Sequence, residues 1–281
     1  MRKFWILLVM FALVSTPATA EKRAADEAEN GDDALMSAKT FTGLELRNIG
    51  PAINSGRVSD FAVHPSAHHI IYAATASGNL WKTTNAGTTW KPIFDKEGSY
   101  SIGCVTLDPN NPNLVWVGTG ENNSQRSVAF GDGVYKSLDG GQNWENVGLK
   151  ESEHIGMIAI DPRDSDVVYV AAQGPLWRSG GERGLYKTTD GGATWTFLAR
   201  KGWDCFGATV SKHNPDHVYL CIAEGADDSG LWLSKDAGKT WRALEGLPFK
   251  NVQRISFDPN DDSIIYVCTF GGSVWKGPAE P

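Results

Sequence analysis

The side chains best suited to chemistry in this sequence are two carboxylates and the arginines and aromatics near them. Glu121 follows Gly118 and Gly120, and Asp204 follows Trp203. Two carboxyl groups about 5–9.5 Å apart are the arrangement that cleaves glycosidic bonds, one acting as proton donor and the other as nucleophile or base. Trp177 and Trp203 are of the type that stacks on a sugar ring or packs on a peptide. Arg57, Glu121, Asn122, Arg126, His154, Arg178, Arg183 and Asp204 would fix the orientation of such a ligand. The same side chains also read as solvated or loop-bracing pairs, Glu182 with Arg183 and Glu121 with Arg126 among them. No Ser-His-Asp order stands out, and no glycine loop precedes a helix as a phosphate cradle does. Cys104, Cys205, Cys221 and Cys268 sit singly, without the spacing of metal ligands. No metal and no cofactor is expected. The cysteines read as buried free thiols, with a Cys205–Cys221 bond across two neighbouring strands as the alternative.

What must position these residues is a repeat. The pattern Ser/Thr-x-Asp/Asn-x-Gly-x-Thr/Asn-Trp occurs four times, closing on Trp90, Trp144, Trp195 and Trp241. Its acidic or amide positions, Asn85, Asp139, Asp190 and Asp236, lie 54, 51 and 46 residues apart. In each copy the Asx side chain accepts hydrogen bonds from a tight turn and the glycine takes a conformation other residues resist. These four residues are structural. Strand runs recur in phase, ending at Val63, Leu107, Ile160, Val210 and Phe257, then centred on Tyr72, Trp116, Tyr169, Tyr219 and Tyr266, then on Trp81, Tyr135, Tyr186, Trp232 and Trp275. A fourth run begins at each box tryptophan. Four strands per repeat of this length make a propeller blade.

The fold class is therefore all-β: a single β-propeller of five four-stranded blades over residues 41–281. The fifth repeat has only three strands before Pro281, so Leu44–Arg47 is expected to add the outer strand and close the ring. Closure makes the first and fifth blades neighbours and predicts an ion pair between Asp60 and Arg254. The loops that join second to third strands are longer in blades 2, 3 and 4, where Glu121, Trp177, Glu224, Asp227 and Asp228 lie. Arg57, Tyr100, His154, Trp203 and Asp204 stand where inner strands begin. One face thus gathers the candidate residues.

The 281-residue chain is 41% hydrophobic and 21% charged, with a net charge of −7. Such an acidic chain is a poor nucleic-acid binder. Residues 1–20 carry Arg2 and Lys3, an apolar run from Phe4 to Val14 and Ala18-Thr19-Ala20. They read as a secretory signal peptide cleaved after Ala20, which places the protein outside the cell or in a periplasm. Residues 21–40 are acidic, nearly free of large apolar groups, and read as a disordered linker. No later run is long and apolar enough for a membrane helix. The expected partner is a glycan or an extracytoplasmic polypeptide.

The boxes resemble those of the Asp-box propeller superfamily, which includes sortilin-type domains, bacterial sialidases, xyloglucan hydrolases and the photosystem II assembly factor. Gly50-Pro51 through Gly56-Arg57-Val58, Leu80-Trp81-Lys82-Thr83, Gly118-Thr119-Gly120-Glu121-Asn122 and Glu182-Arg183-Gly184-Leu185-Tyr186 are similar to secreted bacterial propellers labelled glycosyl hydrolase or sortilin-like. Where the xyloglucan hydrolase motif has Thr-Asp-x-Gly-Gly, this chain has Thr75-Ala76-Ser77-Gly78-Asn79, with Ala76 at the place of a catalytic carboxylate. The sialidase Arg-Ile-Pro motif has only a loose counterpart in Arg47-Asn48-Ile49-Gly50-Pro51. The resemblance implies a non-catalytic glycan- or protein-binding module, with a sialidase-like or xyloglucanase-like glycoside hydrolase as the alternative.

Overall fold

Short β-branched and aromatic runs broken by Gly, Asn, Asp and Pro leave hydrogen-bonded hairpins as the way to pair the backbone. The computed structural model describes residues 57–122, 128–199, 205–222 and 229–280. The chain divides into two compact units, Met1–Arg47 and Asn48–Pro281, and every described residue belongs to the second. The first blade comprises β1 (Val58–Val63), β2 (Ile71–Thr75), β3 (Leu80–Thr83) and β4 (Lys91–Pro92). The second holds β5 (Ile102–Leu107), β6 (Val115–Thr119), β7 (Val134–Ser137) and β8 (Glu145–Gly148). The third holds β9 (Ile155–Asp161), β10 (Asp164–Ala172), β11 (Gly184–Thr188) and β12 (Thr196–Ala199). The fourth holds β13 (Cys205–Val210), β14 (Val218–Ile222), β15 (Gly230–Ser234) and β16 (Arg242–Ala243). The fifth consists of β17 (Val252–Phe257), β18 (Ile264–Thr269) and β19 (Ser273–Pro278).

Every sheet is an antiparallel meander, with its strands hydrogen-bonded in chain order. The five sheets form a five-bladed β-propeller. The expected closing strand Leu44–Arg47, the signal peptide and the linker lie outside the described residues. The fourth strands begin one residue after the expected tryptophans, because the indole belongs to the turn. Trp144 and Trp195 turn back onto the preceding blade, donating from Nε1 to the Ile93 and Val147 carbonyls at 2.8 and 2.7 Å.

Apolar side chains from both faces of each sheet form the core between blades. Tyr72, Ala74, Leu80 and Phe94 of the first blade meet Val105, Val115, Val117 and Tyr135 of the second. Being covered on both faces explains why β6 and β14 are buried at every position.

The box turns behave as their residues dictate. Asp139 Oδ1 accepts from Ser137 Oγ at 2.8 Å and from the Gln142 and Asn143 amides at 2.9 Å, while Gly141 N donates to Ser137 Oγ at 2.8 Å. Asn85, Asp190 and Asp236 repeat this pattern. The boxes also fasten blades together. Lys82 and Lys136 extend over the rings of Tyr72 and Trp116, with Nζ 5.0 and 5.1 Å from the ring centres. They donate to the next blade's turn at Gly140 O and Gly191 O, 2.8 and 2.9 Å away. Lys187 does the same over Tyr169, reaching Ala237 O at 3.5 Å.

The ion pair expected between the first and fifth blades is present, with Arg254 Nη1 3.1 Å from Asp60 Oδ1. Asp60 Oδ2 also accepts from the Val105 amide at 3.2 Å. Farther along β1 the seam is open. Phe61 is 57% exposed, although its counterparts by ladder position, Val105, Ile158, Ala208 and Ile255, are all buried.

Candidate functional site

Each inner strand carries an irregularity at its second residue, as at Gly103 between the Ile102 and Cys104 pairings. Such a bulge frees a main-chain carbonyl near the ring axis. Asn122, just beyond β6, satisfies two of them, its Nδ2 donating to Gly103 O at 3.0 Å and Gly156 O at 3.2 Å. A Cβ on Gly103 would lie 2.4 Å from the Ile155 carbonyl oxygen, so only glycine allows this approach. The Asn122 side chain is therefore committed to joining the inner strands of the second and third blades.

Around Asn122 lies a buried polar cluster. Gln173, past the end of β10, donates from Nε2 to Asn122 O and from its main-chain N to His154 O, both at 2.9 Å. Glu121 is completely buried and forms an ion pair with Arg57, whose side chain is half exposed at the start of β1. His154 is 2% exposed with Nδ1 unpartnered, and Gln173 Oε1 is unpartnered as well. Burial pushes the His154 imidazole down to about 4, with Arg183 adding to the effect and Glu153 opposing it, so the ring is neutral at neutral pH. Ser101 ties this region to the first blade, its Oγ donating to Ala76 O at 2.6 Å. Ala76 is itself fully buried.

The outer candidates behave differently. Arg178 pairs with Glu153. Arg183 folds inward to the carbonyls of Pro175 and Arg178, and Glu182 Oε2 accepts from the Glu151 amide at 2.9 Å. The contacts described for Glu182 and Arg183 run to main-chain groups of the connection. Glu121 pairs with Arg57, and Arg126, expected as its partner, lies outside the described residues. Arg126, Trp203, Asp204, Glu224, Asp227 and Asp228 lie outside the described residues.

Trp177 is 70% exposed, and it has company. Tyr100, Phe130, Phe249 and Phe270 are also exposed. All five stand on connections at the end of the sheets where the inner strands begin. Phe130, Phe249 and Phe270 have no distinguishing sequence signal, since a loop phenylalanine reads the same whether it is buried or presented. Gln173 escaped notice because only the fold brings it to Asn122.

Among the described residues no group of three or more His, Cys, Asp or Glu is arranged to hold a metal ion. No helix there is long and apolar enough to cross a membrane. None of the four cysteines forms a disulfide, and Cys268 is only half buried. Burial pushes the Cys104 thiol up to about 12, with the Asp60 charge adding to it.

The family model described as Sortilin, neurotensin receptor 3, matches residues 132–266. A xyloglucanase of Hypocrea jecorina (strain QM6a) is 25% identical, the alignment covering 82% of this chain and 32% of that protein. A probable oligoxyloglucan-reducing end-specific xyloglucanase of Neosartorya fischeri is 21% identical, covering 92% and 30%. The chain spans about a third of the length of these curated relatives. Among solved structures, the GH74 xyloglucanase from Xanthomonas campestris superposes with a TM-score of 0.62 at 18% identity, over 79% of this chain and 37% of that one. YCF48 bound to D1 peptide gives 0.51 at 12% identity, over 79% and 64%. These superpositions establish a common fold.

Proposed function

We propose that this Asp-box propeller, related to sortilin and the xyloglucanases, is a non-catalytic module that binds a glycan outside the cytoplasm, with its aromatic-rimmed face as the binding surface. The observation that carries this reading is the set of five exposed aromatics on connections at one end of the sheets. Exposed aromatics gathered on one face mark interaction surfaces, and sugar rings present C–H faces that pack on them. Among the described residues, the carboxylates beneath are already paired with arginines. Glu121 is held by Arg57 and Glu153 by Arg178, and Ala76 offers only a methyl group. Asn122, Arg178 and Arg183 position the surface, leaving Trp177 as the principal contact.

The alternative is a glycoside hydrolase, favoured by the names of the curated relatives and requiring Glu121 and Asp204 to act as the pair. Pull-down on insoluble or immobilised xyloglucan, with released reducing sugar measured in the same samples, separates the two. The binding reading expects retention without product, weakened about tenfold by Trp177→Ala. Product that disappears in Glu121→Gln or Asp204→Asn would replace it with the hydrolase. An extracytoplasmic polypeptide is the ligand to pursue if neither retention nor product is seen.

A further inference from the structure

The fifth blade differs from the others at its outer edge. In the first four blades the outermost strands, β4, β8, β12 and β16, are two to four residues long. Outer strands this short present little main chain to other proteins. In the fifth blade the outermost strand is β19, six residues from Ser273 to Pro278. Among the described residues no strand pairs with its far side.

Alternation along β19 fixes which groups it leaves free. The Ala279 amide donates to Ser263 O at 2.7 Å, on the β18 side. Main-chain groups of an antiparallel strand point to alternate sides, so Trp275 and Gly277 also face β18, while Val274 and Lys276 direct their N–H and C=O groups outward. The repeat agrees. Leu80 and Leu231 hold the ladder position of Val274 in the first and fourth blades. Their carbonyls accept from the Ile93 and Leu244 amides, just beyond β4 and β16, at 2.9 and 2.8 Å. Side chains at this edge are uncovered as well. Leu80, Val134, Leu185 and Leu231 are buried, but Val274, their counterpart, is 59% exposed. Trp275 is 38% exposed where its counterpart Tyr135 is buried.

We propose that β19 is a dimerisation edge, pairing antiparallel with β19 of a second copy of this chain. A two-fold axis at Trp275 sets Val274 of each copy opposite Lys276 of the other, and each such pair exchanges both of its main-chain hydrogen bonds. Trp275 meets its symmetry mate in the non-hydrogen-bonded pair between them, where side chains approach most closely. Val274 lies beside the aliphatic stem of the facing lysine. Lys276 carries its ammonium back over its own Tyr266, with Nζ 5.6 Å from the ring centre. Self-complementarity is what favours a second copy over another polypeptide. The free main-chain groups fall symmetrically about Trp275, so one edge satisfies the other with no like charges directly opposed.

The test is the oligomeric state of the full chain by sedimentation velocity. The edge is small for a protein interface, so a weak dimer is expected, formed at about 100 μM and dissociated near about 1 μM. Val274→Pro removes an outward donor from each copy at a sheet edge, where proline is tolerated, and should raise the dissociation constant at least about tenfold. Trp275→Lys sets two ammonium groups face to face and should abolish the dimer. It serves as the decisive variant should circular dichroism show that Val274→Pro fails to fold. A chain monomeric at about 100 μM, as an edge already taken by the expected Leu44–Arg47 strand would give, overturns the proposal. A dimer that the folded variants leave intact overturns it too.

Discussion

Two kinds of titrating residue give this protein separate acid sensitivities. His154 is neutral in the fold down to about pH 4, because burial disfavours its charged form, whereas an unfolded histidine takes up its proton near 6.5. The unfolded chain therefore binds more protons between those values, and stability falls as pH drops from 6.5 towards 4. Urea midpoints at pH 7 and pH 4.5 should differ more for the native chain than for His154→Gln. The box aspartates act lower down. Hydrogen bonds hold the carboxyls of Asp139, Asp190 and Asp236 at about 2, from Asn143, Thr188 and Thr240 foremost. Their contribution is complete above the unfolded carboxyl range near 4 and is lost as pH falls through 2. Asn85 makes the same turn with an amide, so Asp139→Asn should keep the turn and remove that blade's acid response in thermal melts between pH 2 and 4.

At the scale of the element, the inter-blade fastenings carry measurable stability. Lys136→Met removes a ring contact and a hydrogen bond to the next turn, and should cost about 1 kcal/mol in equilibrium denaturation. Trp195→Phe deletes the donor to Val147 O and should cost a similar amount. The strands themselves were legible because the box fixes a turn and the aromatic column fixes a register, and both signals are local. The lysine column was equally visible in the sequence, yet its role was not, since it acts on the following blade about 50 residues away. Asn122 and His154 could be picked out as polar residues near an inner-strand mouth. Their attachment to bulge carbonyls and to Gln173 arises from the pairing irregularities, which no residue pattern announces. The exposed phenylalanines depend wholly on tertiary context.

For the whole molecule, the closing contact between Asp60 and Arg254 joins residues 194 positions apart. Its partial exposure limits its strength, and a double-mutant cycle of Asp60→Asn and Arg254→Gln should give a coupling of about 0.5–1 kcal/mol that shrinks with added salt. The neighbouring open stretch at Phe61 should make β1 the inner strand quickest to exchange its amides. The box turns have a directional consequence. Gly192 lies against Trp116 and Val147, Trp195 holds the Val147 carbonyl, and Lys136 reaches Gly191, so the third blade's turn is what secures the outer edge of the second. Asp190→Ala should therefore speed exchange in β8 more than in β12. A lesion in this protein is felt one blade upstream of its own address.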